Sequence, residues 1–322
     1  MKTRYQSNGR EPVPFKVDKP ADLMGIHKEL LAKVLTPDEE LRYLFYSPIC
    51  ESDVKPFGID AKPGSHAMAV TRHRFVISED LHTKGIAPTI KIIPFSQVLL
   101  VEFGNDLLLG WIAIRFIEGK AVSCLSFFYS STGIHHVSSA IREYRRITSN
   151  RILSQPSEDD MLWPHIWHHA SRHQVELLRS IVIEGERPLS AFRSTEIWGM
   201  DGKRRKKTCL ATHGILIATN TGFISARDES PIRPGMLSFG MNVCCIPRES
   251  VRSITQIEKY TENDRLHFIQ LELHRKGAGF RYHIPFDQIL SASVKSFSRY
   301  LEQHRRTVEE GAAIGSNRIE DK

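Results

Sequence analysis

Ile92-Ile93-Pro94-Phe95-Ser96-Gln97-Val98 and Cys245-Ile246-Pro247-Arg248-Glu249-Ser250-Val251 share one pattern, an apolar-Pro step followed by a new apolar run. The match extends in both directions. Upstream, Ala69-Val70-Thr71-Arg72-His73-Arg74-Phe75-Val76-Ile77 pairs with Leu210-Ala211-Thr212-His213-Gly214-Ile215-Leu216-Ile217-Ala218, each reading as a strand built around a threonine. Further upstream, Asp38-Glu39-Glu40 before Leu41, Tyr43, Leu44 and Phe45 parallels Glu184-Gly185-Glu186 before Leu189 and Phe192. Downstream, 111–116 and 268–273 alternate as strands and end in the turns Glu118-Gly119-Lys120 and Arg275-Lys276-Gly277; a further strand follows each, 122–128 and 280–286. The offset between partners grows from 141 at Thr71/Thr212 to 153 at Pro94/Pro247 and 158 at Gly119/Gly277. The growth places insertions in the second copy, chiefly in the Gly/Pro/Ser-rich stretch 228–240.

Each copy closes with a predicted helix. Ile134, Val137, Ile141 and Tyr144 recur at helical spacing in the first, and Leu290, Val294, Phe297 and Leu301 in the second. A helix with one apolar stripe buries it, and the preceding sheet is the nearest partner. The order of strands, apolar-Pro step, strands and one closing helix resembles the pleckstrin-homology-like superfold, bacterial PH-like domains first and GRAM domains next. The resemblance covers about 36–148 and 179–305. It implies an α+β, mainly antiparallel β fold: two PH-like barrels, each closed by a C-terminal helix and joined by a linker helix.

The flanking segments complete the division. Residues 1–35 read as an arm, flexible over 1–20, and a short helix with Leu23, Ile26, Leu30 and Val34 on one face. Residues 149–178 are a linker with a helix from about 158 to 179, whose acidic start suits a helix N-terminus. Its Trp163/Ile166/Trp167 face is expected to be buried, and residues 306–322 read as a flexible tail.

The chain has 322 residues, 41% hydrophobic and 25% charged, a globular composition that excludes a disordered, collagen-like or disulfide-scaffold chain. The N-terminus shows no apolar signal region. The longest apolar stretch, 107–114, lies between Asp106 and Arg115 and is far shorter than the roughly 20 residues of a membrane span. Five cysteines without C-x-x-C spacing read as reduced thiols, with Cys124, Cys209, Cys244 and Cys245 packing as small hydrophobes. A cytoplasmic location follows, compatible with peripheral contact to a membrane.

No hydrolase, zincin, dinucleotide or P-loop motif is present, so no catalytic residue and no cofactor are assigned. His165, His169 and His173 are spaced four apart in the linker helix, with Glu176 beyond. One helix cannot close three such ligands on one ion, and the residues read as a polar flank, not a metal site. The sharpest feature is the run Lys203, Arg204, Arg205, Lys206 and Lys207, which follows a turn signature and supplies +5 of the net +7. Converging Lys and Arg make charge-assisted bonds to phosphate. In the PH-like resemblance, the hairpin at this point holds phosphoinositide phosphates. Two readings compete: an anionic-ligand site, or a solvated hairpin tip. The first implies a non-catalytic binding or scaffold protein that meets an anionic membrane surface (lipid headgroups) or a protein partner. A nucleic-acid-associated protein using the same run is the alternative, and a metal-dependent enzyme using the linker histidines comes third.

Overall fold

The computed structural model describes residues 14–36, 38–50, 63–81, 85–149, 162–201, 206–229, 240–260, 265–275 and 277–286. The helix predicted on Leu290, Val294, Phe297 and Leu301 lies outside them, as does the tail. The architecture is α+β, mostly antiparallel sheet with few helices.

The first sheet holds β1 (Phe15–Lys16), β2 (Leu41–Cys50), β3 (Gly64–Thr71), β4 (Arg74–Asp80) and β5 (Thr89–Pro94), side by side in chain order. Its side chains alternate between two faces, as strand geometry requires. Phe45, Met68, Val70, Phe75 and Ile77 enter the main core. Leu44, Ala67, Ala69 and Val76 face the other way, toward helix α1 (Ile26–Val34) and its anchor Leu31. Two expectations are corrected here. The end of the arm is not free chain, because Phe15 and Lys16 pair with Tyr46 and Phe45. On α1 the buried positions are His27 and Leu31, with Leu30 only half-buried. A histidine sits inside because both ring nitrogens find hydroxyls, Ser78 Oγ at 2.8 Å and Ser65 Oγ at 2.9 Å.

A single 3₁₀ turn, Phe95–Gln97, carries the chain from Pro94 into β6 (Val98–Asp106), β7 (Leu109–Glu118) and β8 (Ala121–Ser130), followed by helix α2 (Ile134–Ser149). The stripe predicted on α2 is buried at Val137, Ile141 and Tyr144, together with Ala140. Two short helices follow, α3 (Leu162–His169) and α4 (Arg172–Ile181). The single linker helix is corrected to these two. Ser171 and Gln174 form a capping box that starts α4 afresh.

The second half runs β9 (Pro188–Ser194), β10 (Ile197–Asp201), β11 (Lys206–Ala211), β12 (Gly214–Thr219), β13 (Gly222–Asp228) and β14 (Met241–Pro247). Another 3₁₀ turn, Arg248–Ser250, leads into β15 (Val251–Tyr260), β16 (Arg265–Arg275) and β17 (Ala278–Phe286). The expected turn sequence around both prolines is therefore realised, but among the described residues no closed barrel is found. β6 pairs with β14, Met241 opposite Asn105 and Val243 opposite Phe103, so strands of both halves merge into one seven-stranded sheet, β8-β7-β6-β14-β13-β12-β9. Each of these two strands satisfies the other's open edge, which an isolated half would expose. β15–β17 form a separate three-stranded sheet, and β10–β11 a two-stranded one.

The seven-stranded sheet is buried on both faces. Val101, Phe103, Ile114, Ile217 and Cys245 face the first sheet and the helices, whereas Leu100, Leu216, Phe223 and Cys244 face β15–β17. The adjacent cysteines Cys244 and Cys245 thus serve two different cores. Cys124 departs from the packing expected of it and is exposed on β8.

The register of the repeat is also corrected. Thr71 Oγ1 lies 3.2 Å from the carbonyl of Arg74 and accepts from the His73 N–H. Thr219 repeats this geometry, 3.2 Å from the Gly222 carbonyl and accepting from the Thr221 N–H. Its equivalent is therefore Thr219, at an offset of 148, whereas Thr212 lies between β11 and β12. The β10–β11 hairpin, inserted ahead of β12, displaced the alignment.

Candidate functional site

All seven strands of the large sheet put corresponding ends together. At one end lie the turns 119–120 and 219–222 and the two 3₁₀ turns; at the other lie the turn 107–108 and the strand ends Ser194, Gly214, Asp228 and Met241.

The first end is closed by a buried charge cluster. Arg145 of α2 and Glu186 ahead of β9 pair inside the protein, both almost fully buried. Glu186 Oε1 also accepts from Thr219 Oγ1 at 2.6 Å and Thr221 Oγ1 at 2.5 Å, and Oε2 accepts from the Ile183 N–H at 3.3 Å. Arg145 Nη1 donates to the carbonyl of Ile181 at 2.6 Å, which caps the C-terminus of α4. Trp163 Nε1 of α3 donates to the Glu186 carbonyl at 3.1 Å. Burial pushes the Glu186 pKa up, but the Arg145 charge and the threonine hydroxyls outweigh it and hold the carboxyl below its ordinary range. With every oxygen satisfied, this cluster joins elements and offers no open chemistry.

The seam between the halves is polar as well. The Trp111 indole crosses Gly104 to donate to Asn242 Oδ1 at 3.3 Å. Asn242 Nδ2 lies 3.5 Å from Glu102 Oε1, which also accepts from the Tyr282 hydroxyl at 3.2 Å. A Cβ on Gly104 would stand 2.0 Å from the Met241 carbonyl and 2.5 Å from Trp111, so only glycine permits the approach.

The other end of the sheet carries the predicted basic run. β9 leaves it at Ser194 and the chain returns at Gly214, having formed the β10–β11 hairpin. Of the five predicted ligand residues, Lys206 and Lys207 begin β11, opposite Asp201 and Met200. Lys203, Arg204 and Arg205 lie outside the described residues. Arg193 is exposed near the end of β9, and His213 near the start of β12 is half-exposed. Asp228, at the end of β13, has a pKa raised by burial, although it accepts from Gln174 Nε2 at 2.9 Å.

Of the linker histidines, His165 and His169 bring their rings within 4.6 Å of each other. His165 and His169 lie on α3 and His173 on α4, past the break at Ser171. Among the described residues, no three His, Cys, Asp or Glu side chains stand close enough to share a metal ion. Trp163 and Trp167 stack at 4.8 Å and are half-buried, whereas Ile166 between them is fully buried. Arg179 covers the Trp167 ring at 5.4 Å. Among the described residues, no helix is long and apolar enough to cross a membrane.

One feature of this end escapes sequence reading. The apolar stretch 107–114 is not one strand, because Asp106 pairs with Leu109 and leaves Leu107-Leu108 as a two-residue turn. These are the most exposed large apolar side chains among the described residues, 62% and 60%. The available signal was Asn105-Asp106, turn formers inside an otherwise apolar run. No family model matches the chain, and no curated protein does either.

Proposed function

We propose that the chain is a non-catalytic binding or scaffold protein of two PH-like units, and that it meets an anionic membrane surface through the basic run Lys203–Lys207. The PH-like reading is supported by the repeated order: strands, a 3₁₀ turn after proline, and three further strands, with α2 closing the first unit. The observation that carries the reading is the place of the β10–β11 hairpin, whose strand β11 begins with Lys206 and Lys207. β10 and β11 pair with each other, outside the two-faced core sheets, so charge there acts on partners more than on packing. Each basic residue near an anionic leaflet contributes about 1 kcal/mol.

The test replaces all five residues with Gln. Wild type and variant are titrated against neutral vesicles, anionic vesicles and duplex DNA at two salt concentrations. A preference of wild type for anionic vesicles, weakened by salt and lost in the variant, supports the reading. Equal or stronger binding to DNA favours the nucleic-acid alternative, and identical curves for both proteins on every partner remove the run from function.

A further inference from the structure

We propose that His165 and His169 of α3 bind one divalent transition-metal ion, with water completing its coordination; the site is independent of the basic run and of the membrane reading.

His165 and His169 stand one helical turn apart and so share a face of α3. The spacing that rules out three ligands from one helix leaves these two. Their rings lie 4.6 Å apart, centre to centre, at an interplanar angle of 77°. Two imidazoles bound to one ion at about 2.0–2.1 Å hold their ring centres roughly 4.5 Å apart across a right angle and roughly 5.2 Å apart across a tetrahedral one. The observed separation fits the right angle, the geometry of copper(II) and nickel(II) in nitrogen-rich sites. Both rings are exposed, and among the described residues neither makes a hydrogen bond or an ion pair. Each therefore keeps a nitrogen for a ligand, and solvent supplies the remaining positions.

The other side of the helix seats the pair. Ile166 is buried, Trp163 donates to the Glu186 carbonyl and Trp167 lies under Arg179. The turn that carries the two histidines is already formed, so an ion meets it at little cost in ordering. The pKa of His169 is lowered, by desolvation first and then by His165, His168 and Arg193, which favours the neutral ring that a metal requires. Arg193, exposed on β9, opposes the charge of the ion, but solvent and salt screen it. His168 is the next ring, 5.3 Å from His169, but successive residues of a helix point about 100° apart. The pair is thus His165 with His169.

The experiment titrates nickel(II), which thiols do not reduce, into the untagged full chain by calorimetry. Wild type should bind one ion. His165→Gln and His169→Gln should each weaken binding at least about tenfold, because each leaves a single imidazole. His168→Gln and His173→Gln should bind as wild type does. All four positions are exposed, so melting curves without metal should coincide. Nickel(II) should also quench tryptophan fluorescence in wild type, through Trp163 and Trp167 on the same helix, and should not do so in His165→Gln. Equal affinity of wild type and the first two variants would place the ion elsewhere and overturn the pair. A loss in His168→Gln as large as that in His169→Gln would overturn it too, as would a wild type that binds no nickel(II).

Discussion

The two halves solve one problem with different cations. In the first, Glu39 ahead of β2 takes Arg74 from the β3–β4 turn at 2.6 Å and 2.8 Å, beside Thr71. In the second, Glu186 ahead of β9 meets Thr219 in the equivalent turn, but the place of Arg74 is held by Gly222. No larger residue fits there: φ is +152° and a Cβ would stand 2.3 Å from the Ile246 carbonyl. The cation comes instead from Arg145, on the helix that ends the first half. A local pair has become a bond between halves, and the second half depends on the first to neutralise its own carboxylate.

The largest expected effect comes from breaking that borrowed pair. Arg145→Met leaves a buried carboxylate unpaired and should cost about 3–5 kcal/mol, whereas Arg145→Met with Glu186→Leu should recover most of it. Chemical denaturation of the three proteins checks this; equal losses in single and double variants would break the comparison. The pair also sets acid sensitivity. The folded pKa of Glu186 is depressed, so its stabilisation is present above the unfolded value of about 4.3 and is lost as pH falls through the lower folded value. Wild type should therefore lose stability below about pH 4 more steeply than the double variant.

Next in size is the seam. Gly104→Ala sets a methyl group against the Met241 carbonyl and should cost about 1–3 kcal/mol by parting β6 from β14. If the halves are coupled through both seam and pair, hydrogen exchange in this variant should rise on both strands, not on β6 alone. The first-half counterpart is weaker. Glu39→Gln should cost about 1 kcal/mol, because Arg74 retains the Val34 carbonyl at 3.2 Å and partial access to water. A cost equal to that of Arg145→Met would erase the contrast between local and borrowed cations.

Much of this was legible in the sequence, at the level of order. The prolines at 94 and 247 marked the same step in both halves, and the stripe of α2 was buried at Val137, Ile141 and Tyr144, with Ile134 only half-buried. The acidic residues before β2 and β9 were visible as a match, but their partners were not. Arg145 lies 41 positions from Glu186, and no local pattern announces a pair at that separation. The Thr71 register slipped because a hairpin was inserted between β9 and β12, where local similarity of Thr212 outweighed the count of strands. The break at Ser171 was readable as Ser-x-x-Gln, but the tryptophan and histidine periodicity ran across it. Merging of the two halves through β6 and β14 was beyond the sequence, since strand edges carry no mark of their partner.

The smallest effect has the opposite sign. Leu107 contributes little to burial and holds a backbone conformation that disfavours a branched side chain with Cβ. Leu107→Asn should therefore raise stability, by up to about 1 kcal/mol, because asparagine adopts the left-handed region at lower cost. The matching turn of the second half, which joins β15 to β16, lies outside the described residues, so the comparison is made within the first half. There the turn 119–120 uses Gly119 at φ +64°, the residue such a conformation favours. Gly119→Leu should destabilise by about the amount that Leu107→Asn stabilises, since both move a leucine into or out of a left-handed position. Melting curves of the two variants, recorded under one condition, decide it. A fall in stability for Leu107→Asn would mean that the leucine packs in the folded protein, and that its left-handed backbone carries no cost that asparagine relieves.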